Sequence, residues 1–335
     1  MLASGPPAGA TPAETEIFWK KAGQRTVYRY ASNEELSFEL RTRVLLTEAA
    51  HALQTSGAQF AIFRDSRCNP RYWRRDEKGG FRLLENVTPA DGIRNIFQEG
   101  SLYAFECATA IVIVLYKGML DSLGDRLFNL WFGGLLLYDW HYDEDLQLVD
   151  SKKPEDAVPG DVQYFKNPDV SPEHPEWQGE NVLLMLDGMY YGHGIGIKSG
   201  GEIIESLNRK RRPFSETSAY LTDVVVHPDY QKLYRTIIGG SGWNQPLPPQ
   251  YGGTGWARSE TEADSYSAAL KAPDSSSRQR VTRMGTDMEP QAGQAQGGQA
   301  QVSQAQVGQA QTYWTQGSRV QLHKVRARIG RDAFR

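Results

Sequence analysis

The sequence is poor in the residues that would staple a fold or hold a metal. Two cysteines, Cys68 and Cys107, stand in 335 residues, and neither belongs to a CxxC pair. A disulfide scaffold is therefore excluded. The histidines His51, His141, His174, His193, His227 and His323 offer no pair at metal-ligand spacing on one predicted element, so no structural metal site is expected. Long apolar runs are missing too. No stretch holds the roughly 18 uninterrupted apolar residues of a membrane span. The first residues, Met1 to Glu14, lack the basic start and apolar run of a secretory signal, so a soluble chain made in the cytoplasm is expected. Charge of one sign is also absent. A formal net charge of −3 gives a nucleic acid no basic surface to bind.

What is present divides the chain in three. Residues 1–15 are rich in Ala, Pro and Gly and read as a flexible segment. Residues 16–238 carry the apolar periodicity of one folded domain. Residues 239–335 are dominated by Gly, Pro, Ser and Gln, and 291–310 form four copies of Gln-x-x-Gln-Ala. Such a tail has almost nothing to bury and is expected to be disordered. Its end, Arg319 to Arg335, is locally basic.

Within the domain, Ser32 and Glu35 form a capping-box pattern ahead of Leu36, Leu40, Val44 and Leu45, and Ser56-Gly57 ends that helix. Ala58 to Phe63 reads as a short strand. Thr88-Pro89 opens a second helix, which stops at Gly100. The most apolar element begins at Cys107. Its residues keep to no single stripe, so it is a helix buried on nearly all sides or a central strand. The pattern continues through Met119, Leu120 and Leu123 to Gly124, a length that favours the helix. Leu135 to Trp140, Val162 to Phe165 and Tyr220 to Val226 read as strands. Asn181 to Ile197 reads as a hairpin turning at Asp187-Gly188. The fold class is thus α+β, with a buried Cys-bearing helix against an antiparallel sheet.

Cys107 starts the buried helix, where unpaired N–H groups favour a thiolate. The same position also suits a small, inert core residue. Glu106 beside it is either a simple helix-start acid or an acceptor for the thiol proton. In the hairpin, a two-residue loop at Asp187-Gly188 pairs Val182 with His193. Glu180 and His193 then become diagonal neighbours on one face, with α-carbons roughly 7–8 Å apart. The alternative is an exposed polar face. Gly192, Gly194 and Gly196 leave room for something to approach that strand. A cysteine at a helix start against a strand bearing an imidazole and an acid is the papain-like arrangement for acyl transfer through a thioester.

Six segments make a resemblance specific. Ser56-Gly-Ala-x-Phe60, Tyr103-Ala-Phe-Glu-Cys107-Ala-Thr-Ala-Ile-Val-Ile113, Leu137-Tyr-Asp-Trp-His-Tyr142, Tyr164-Phe-Lys-Asn-Pro168, Trp177-x-Gly-Glu-Asn-Val182 and His193-Gly-x-Gly-Ile197 occur in this order. Together they resemble the spore-coat transglutaminases of Bacillus-type bacteria over roughly residues 16–238. The resemblance implies a single catalytic domain related to the NlpC/P60 cysteine peptidases and an activity independent of calcium or any cofactor. It implies Cys107 as nucleophile, Glu180 as main carboxylate partner, Glu106 as a partly redundant second, and His193 as the site histidine. Phe60, Trp140 and Trp177 match aromatics that resemble a tunnel or gate over the cysteine, though ordinary core packing explains them equally. The expected partners are protein substrates, glutamine donors and lysine acceptors of the spore coat, where the enzyme would be deposited. The tail after Gly239 has no counterpart in the family pattern, and its glutamines are candidate sites of self-modification. A cysteine peptidase or glutamine deamidase on the same fold, and a non-catalytic coat protein, are the alternatives. Cys68 matches no motif.

Overall fold

The computed structural model of the chain describes residues 5–238, so the expectations placed on residues 239–335 lie outside it. The first helix, α1 (Pro12–Ala22), was not anticipated and begins inside the stretch expected to be flexible. Its start is fixed locally. Thr11 accepts the Glu14 N–H, the Glu14 carboxylate accepts the Thr11 N–H, and Pro12 occupies the first turn. Ile17 and Phe18 are then buried against Tyr30, Leu36 and Leu40.

Helix α2 (Asn33–Thr55) starts at Ser32 as expected, but only half of the capping box forms. Ser32 accepts the Glu35 N–H, while the Glu35 carboxylate takes the Ala31 N–H and pairs with Arg235. The expected strand from Ala58 shortens to β1 (Gln59–Phe60). A small sheet is laid by β2 (Trp73–Arg75) and β3 (Phe81–Leu83), and helix α3 (Pro89–Gln98) opens on its Thr88 cap. Strand β4 (Ala104–Phe105) pairs in parallel with β1. It runs directly into α4 (Cys107–Trp131), so the helix reading of the apolar element holds. Gly124, with φ +74°, breaks α4 where the sequence placed its end.

Strand β5 (Leu136–Leu137) completes the small sheet, in the order β2-β3-β5. The large antiparallel sheet contains β6 (Leu148–Ser151), β7 (Val162–Lys166), β8 (Gly179–Leu184), β9 (Tyr190–Gly192), β10 (Gly196–Lys198) and β11 (Tyr220–Pro228). Its order is β10-β9-β8-β7-β11-β6. Helix α5 (Gly200–Asn208) separates β10 from β11, and α6 (Tyr230–Leu233) follows β11. Helix α4 packs against α2 on one side and β8 on another. At the α2 crossing, a Cβ on Gly118 would lie 2.5 Å from Leu46 Cδ2, so only glycine allows this approach. Although α4 is long and apolar enough to cross a membrane, it is mostly buried inside the protein. Each Ile, Val or Leu so covered contributes about 1.5–3 kcal/mol. The start of α4, and with it Cys107, is thereby held rigidly.

A buried ionic cluster ties the chain's two described ends to this core. Glu39 Oε1 accepts from Lys21 Nζ at 2.6 Å and Arg43 Nε at 2.8 Å, and Glu39 Oε2 accepts from the Tyr30 hydroxyl at 2.8 Å. Arg43 also reaches Asp161 Oδ1 at 2.5 Å and lies over the Tyr230 ring. The cluster thus joins α1, α2, the residue before β7, and α6. Burial alone would raise the Glu39 carboxyl, but Lys21 and Arg43 hold it well below the usual carboxylate range. Removing one partner leaves buried charge uncompensated, at a cost of about 3–5 kcal/mol. Glu39→Gln is therefore expected to lower stability by that order, measured by urea unfolding at pH 7. Because the native value is depressed, the loss is full above the unfolded value of about 4.3 and shrinks as pH falls below it. An unchanged unfolding midpoint would remove the cluster from the stability of the fold.

Candidate active site

The nucleophile candidate sits where β4 becomes α4. Glu106 is the N-cap of α4, and its Oε1 accepts the Thr109 N–H at 3.2 Å. That bond aims Oε2 at Cys107, whose Sγ lies 3.4 Å away and donates to it. Thr109 Oγ1 in turn accepts the Asp139 N–H at 3.0 Å. Asp139 adopts φ +49°, a left-handed conformation uncommon outside glycine, in the turn after β5. Burial, and then the charge of Asp139, push the Glu106 carboxyl up to about 7. At neutral pH it is therefore poised between its acid and base forms.

Strand β8 brings up the other wall. Glu180 and Asn181 are its second and third residues, paired across the ladder with Phe165 and Tyr164 of β7. Both are buried, because β8 is covered on both faces. The Asn181 side-chain amide donates to Cys107 Sγ at 3.4 Å. Glu180 Oε1 is buried without a hydrogen-bond partner among the described residues. The Glu180 side chain lies over Gly192, where an added Cβ would come within 2.9 Å of its Cγ and Oε1. Burial, and then the charge of Glu106, push the Glu180 carboxyl well above its ordinary range. The thiol is also pushed well up, by burial and then by Glu180 and Glu106. No cation is among the groups that weigh most on these three.

The helix start therefore does not produce the ready thiolate expected of it. The Thr109 N–H is engaged by the Glu106 carboxylate, and dryness favours the neutral thiol. What the arrangement can do is pass the thiol proton to a carboxylate of raised pKa as sulfur attacks.

His193 is placed differently from expectation. The hairpin loop has three residues, Leu186 to Gly188, with Met185 N bonded to Met189 O at 2.9 Å and Gly188 at φ +77°. The register shifts by one, so Val182 faces Gly192 rather than His193. The chain then turns through His193, Gly194 and Ile195 into β10 instead of continuing as one strand. The His193 ring stacks on Phe105, with centroids 4.7 Å apart. Its Nε2 donates to the Gln59 carbonyl and its Nδ1 accepts from the Tyr191 hydroxyl, each at 3.1 Å. Burial pushes the imidazole down to about 4, so it is neutral across the working range. Both nitrogens are occupied away from Cys107, and the ring serves as a brace between β1, β4 and β9.

Of the three aromatics, Phe60 and Trp177 stack at 5.2 Å, and Phe60 approaches His193 at 6.4 Å. Trp177, Phe60, His193 and Phe105 thus form an aromatic row that ends two residues before the nucleophile. Trp140 belongs to the other wall, half-buried on the main core next to Asp139. Cys68 stands apart, its thiol directed at the Trp73 carbonyl and pushed up to about 11 by burial. Sequence reasoning missed Asn181, Asp139 and Tyr164. The Tyr164 phenol is raised by burial and then by the charges of Cys107, Glu180 and Glu106. The available signal for Asn181 was a polar residue inside an otherwise apolar strand, which must find a partner when buried.

Comparison with known proteins identifies the family. Residues 3–237 match the family protein-glutamine gamma-glutamyltransferase. The chain is 48% identical over 212 residues to the protein-glutamine gamma-glutamyltransferase of Bacillus mycoides (strain KBAB4), covering 63% of this chain and 76% of that one. It is 48% identical over 208 residues to the Bacillus cereus (strain B4264) protein of the same name, covering 62% and 75%. A solved transglutaminase from Geobacillus stearothermophilus, without its C-terminal extension, superposes with a TM-score of 0.58 at 48% identity over 61% of this chain and 97% of that one. The peptidase, deamidase and non-catalytic readings are not favoured by these relatives. The chain belongs to the protein-glutamine gamma-glutamyltransferase family and is an acyltransferase.

Proposed function

We propose that transfer runs through a thioester on Cys107, with the two carboxyl groups dividing the proton traffic. The observation that carries this reading is the Cys107 thiol donating to a buried carboxyl of raised pKa, 3.4 Å away. As Sγ bonds to the carbonyl carbon (Cδ) of a glutamine γ-carboxamide, the thiol proton passes to Glu106 and the carbonyl electron pair moves to oxygen. Collapse breaks the C–N bond, and ammonia leaves with that proton. A lysine amine must then lose a proton to attack the thioester. The free Oε1 of Glu180 is the acceptor with an open lone pair. As the amide forms, the C–S bond breaks and the sulfur regains a proton. This order gives Glu106 the thiol and Glu180 the amine, where the family resemblance made Glu180 the main partner.

Burial of Cys107 and the aromatic row keep water from the thioester, which separates a transferase from a hydrolase. Base and hydrogen-bond donors all come from the chain's own side chains, so we propose a reaction without calcium or other cofactor. The Bacillus-type resemblance supports spore-coat proteins as substrates, and deposition of the enzyme on the coat. Fractionation of sporulating cells checks that placement; enzyme and cross-links absent from the coat fraction would refute it. The Gln-x-x-Gln-Ala repeats supply nine glutamines between Gln291 and Gln311. Tethering would present these acyl donors at roughly millimolar effective concentration, so the tail is proposed to attach the enzyme to the matrix it cross-links.

Cys107→Ala is expected to abolish incorporation of a tagged amine into a glutamine protein and alkylation at that position. Cys68→Ala should retain most activity, and the parent should work in excess EGTA. Incorporation by the Cys107→Ala protein would end the thioester reading, and its loss in EGTA would end the calcium-independent one. The pH profile tests the base. Glu106 must be ionised to accept the thiol proton, so kcat/KM should fall as pH drops through about 7. Asp139→Asn removes a neighbouring negative charge, so that acid limb should move to lower pH. A limb that stays in place would separate Asp139 from the base. Finally, peptide mapping of enzyme incubated with tagged amine should find label on glutamines 291–311, absent in Cys107→Ala. An unlabelled tail in enzyme that modifies another protein would refute self-attachment.

A further inference from the structure

The oxyanion formed in both half-reactions has a particular difficulty in this pocket. It appears beside two carboxyl groups, with no cation among the groups that weigh most on them. One negative charge is tolerable there, because buried carboxyls of raised pKa share it. During attack that charge moves from the carboxylate accepting the proton to the substrate oxygen. The new position needs preorganised donors, or the charge has nowhere stable to go.

We infer that the Asn181 side-chain amide is one of those donors and that Cys107 N–H is the other. Asn181 Nδ2 lies 3.4 Å from Sγ, so it touches the atom to which the tetrahedral carbon will be joined. The amide is fully buried on β8, in a ladder that pairs its backbone with Tyr164. It therefore needs little reorganisation when charge arrives. A carbonyl oxygen on the carbon bonded to Sγ stands within about 3 Å of the sulfur, inside the reach of a donor that already contacts it. Cys107 N–H occupies the first position of α4, where no intrahelical acceptor exists. The two donors converge on Sγ from the strand and from the helix. In the free enzyme Asn181 holds sulfur; during attack it transfers its hydrogen bond to the oxygen while the S–H proton goes to the carboxylate. An amide suits the place because it donates without adding charge, whereas a lysine would trap both carboxylates in their ionised forms.

This inference rests on Cys107 as nucleophile, and its test separates the two. Asn181→Ala and Asn181→Ser are made, with thermal unfolding to confirm the fold. Single-turnover ammonia release from a glutamine peptide reports acylation, which needs an oxyanion donor. Alkylation of Cys107 by iodoacetamide reports only the nucleophilicity of sulfur, since that displacement forms no oxyanion. Acylation should fall about 10²–10³-fold, as for loss of one oxyanion donor, and alkylation less than tenfold. Serine, which restores a shorter donor, should recover part of the loss. Equal losses in both measurements would make Asn181 a scaffold for the thiol and overturn the proposal, as would unimpaired acylation. A parent enzyme with no alkylation at Cys107 would instead sink the nucleophile assignment.

Discussion

Cys107 is buried 3.4 Å from the Glu106 carboxyl, and Glu106 and Glu180 weigh on it with no cation among the groups that weigh most on the three. In a cysteine–histidine enzyme, a thiolate forms against an imidazolium, and the pair is ready before substrate arrives. Here each ionised group makes the next harder to ionise, and burial works against all three. All three groups are therefore shifted toward their neutral forms. Reactivity arises only when a substrate carbonyl can accept the sulfur electrons while a carboxylate accepts the proton. Such a site is suited to an unactivated amide held in register.

The rest of the fold supplies the dryness and the rigidity this requires. Helix α4 is anchored by apolar side chains along almost its whole first half, which fixes the height of Cys107. Glu106 caps that helix, so the bond that aims its carboxylate also ends the backbone of the helix correctly. Strand β8 is covered on both faces, which lets the neighbouring residues Glu180 and Asn181 both be buried. Gly192 leaves the space that the Glu180 side chain fills. The ionic cluster around Glu39 is a separate device. Its charges are balanced by each other, and it locks α1 and α6 to the core.

Much of this was legible where local physics decides. The Thr88 cap, the apolar run from Cys107 and the break at Gly124 each follow from one or two residues, and each appears in the structure. Cys107, Glu106 and Glu180 were candidates from local pattern, and their roles were assigned only by the resemblance to the family. The hairpin shows where such reading fails. Asp187-Gly188 fits a two-residue loop, but it equally closes a three-residue loop with glycine last in the left-handed conformation. One residue of slip moves every side chain to the other face. His193 consequently left the predicted pair with Glu180, and the turn at Gly194 took it to Phe105. Helix α1 was hidden because Ala, Pro and Gly around Thr11 mask a complete capping box. Asn181 and Asp139 act through contacts between elements far apart in sequence, which spacing alone does not display.

His193 shows what the aromatic row contributes to transfer over hydrolysis. A charged imidazole beside the thioester would draw water toward it. This ring is neutral, with one nitrogen on the Gln59 carbonyl and the other on Tyr191, so it offers solvent no free polar edge. Its stacking with Phe105 instead extends the apolar wall formed by Phe60 and Trp177. On the proposed pathway, water approaching the thioester would have to leave its hydrogen bonds behind, at a cost of several kcal/mol for a polar group entering an apolar setting. A lysine side chain brings its own apolar stem to cover that wall and exposes only the amine. The same wall therefore opposes water and favours the long alkyl amine. In the mechanism proposed above, the Oε1 of Glu180, which has no hydrogen-bond partner among the described residues, takes the proton of that amine.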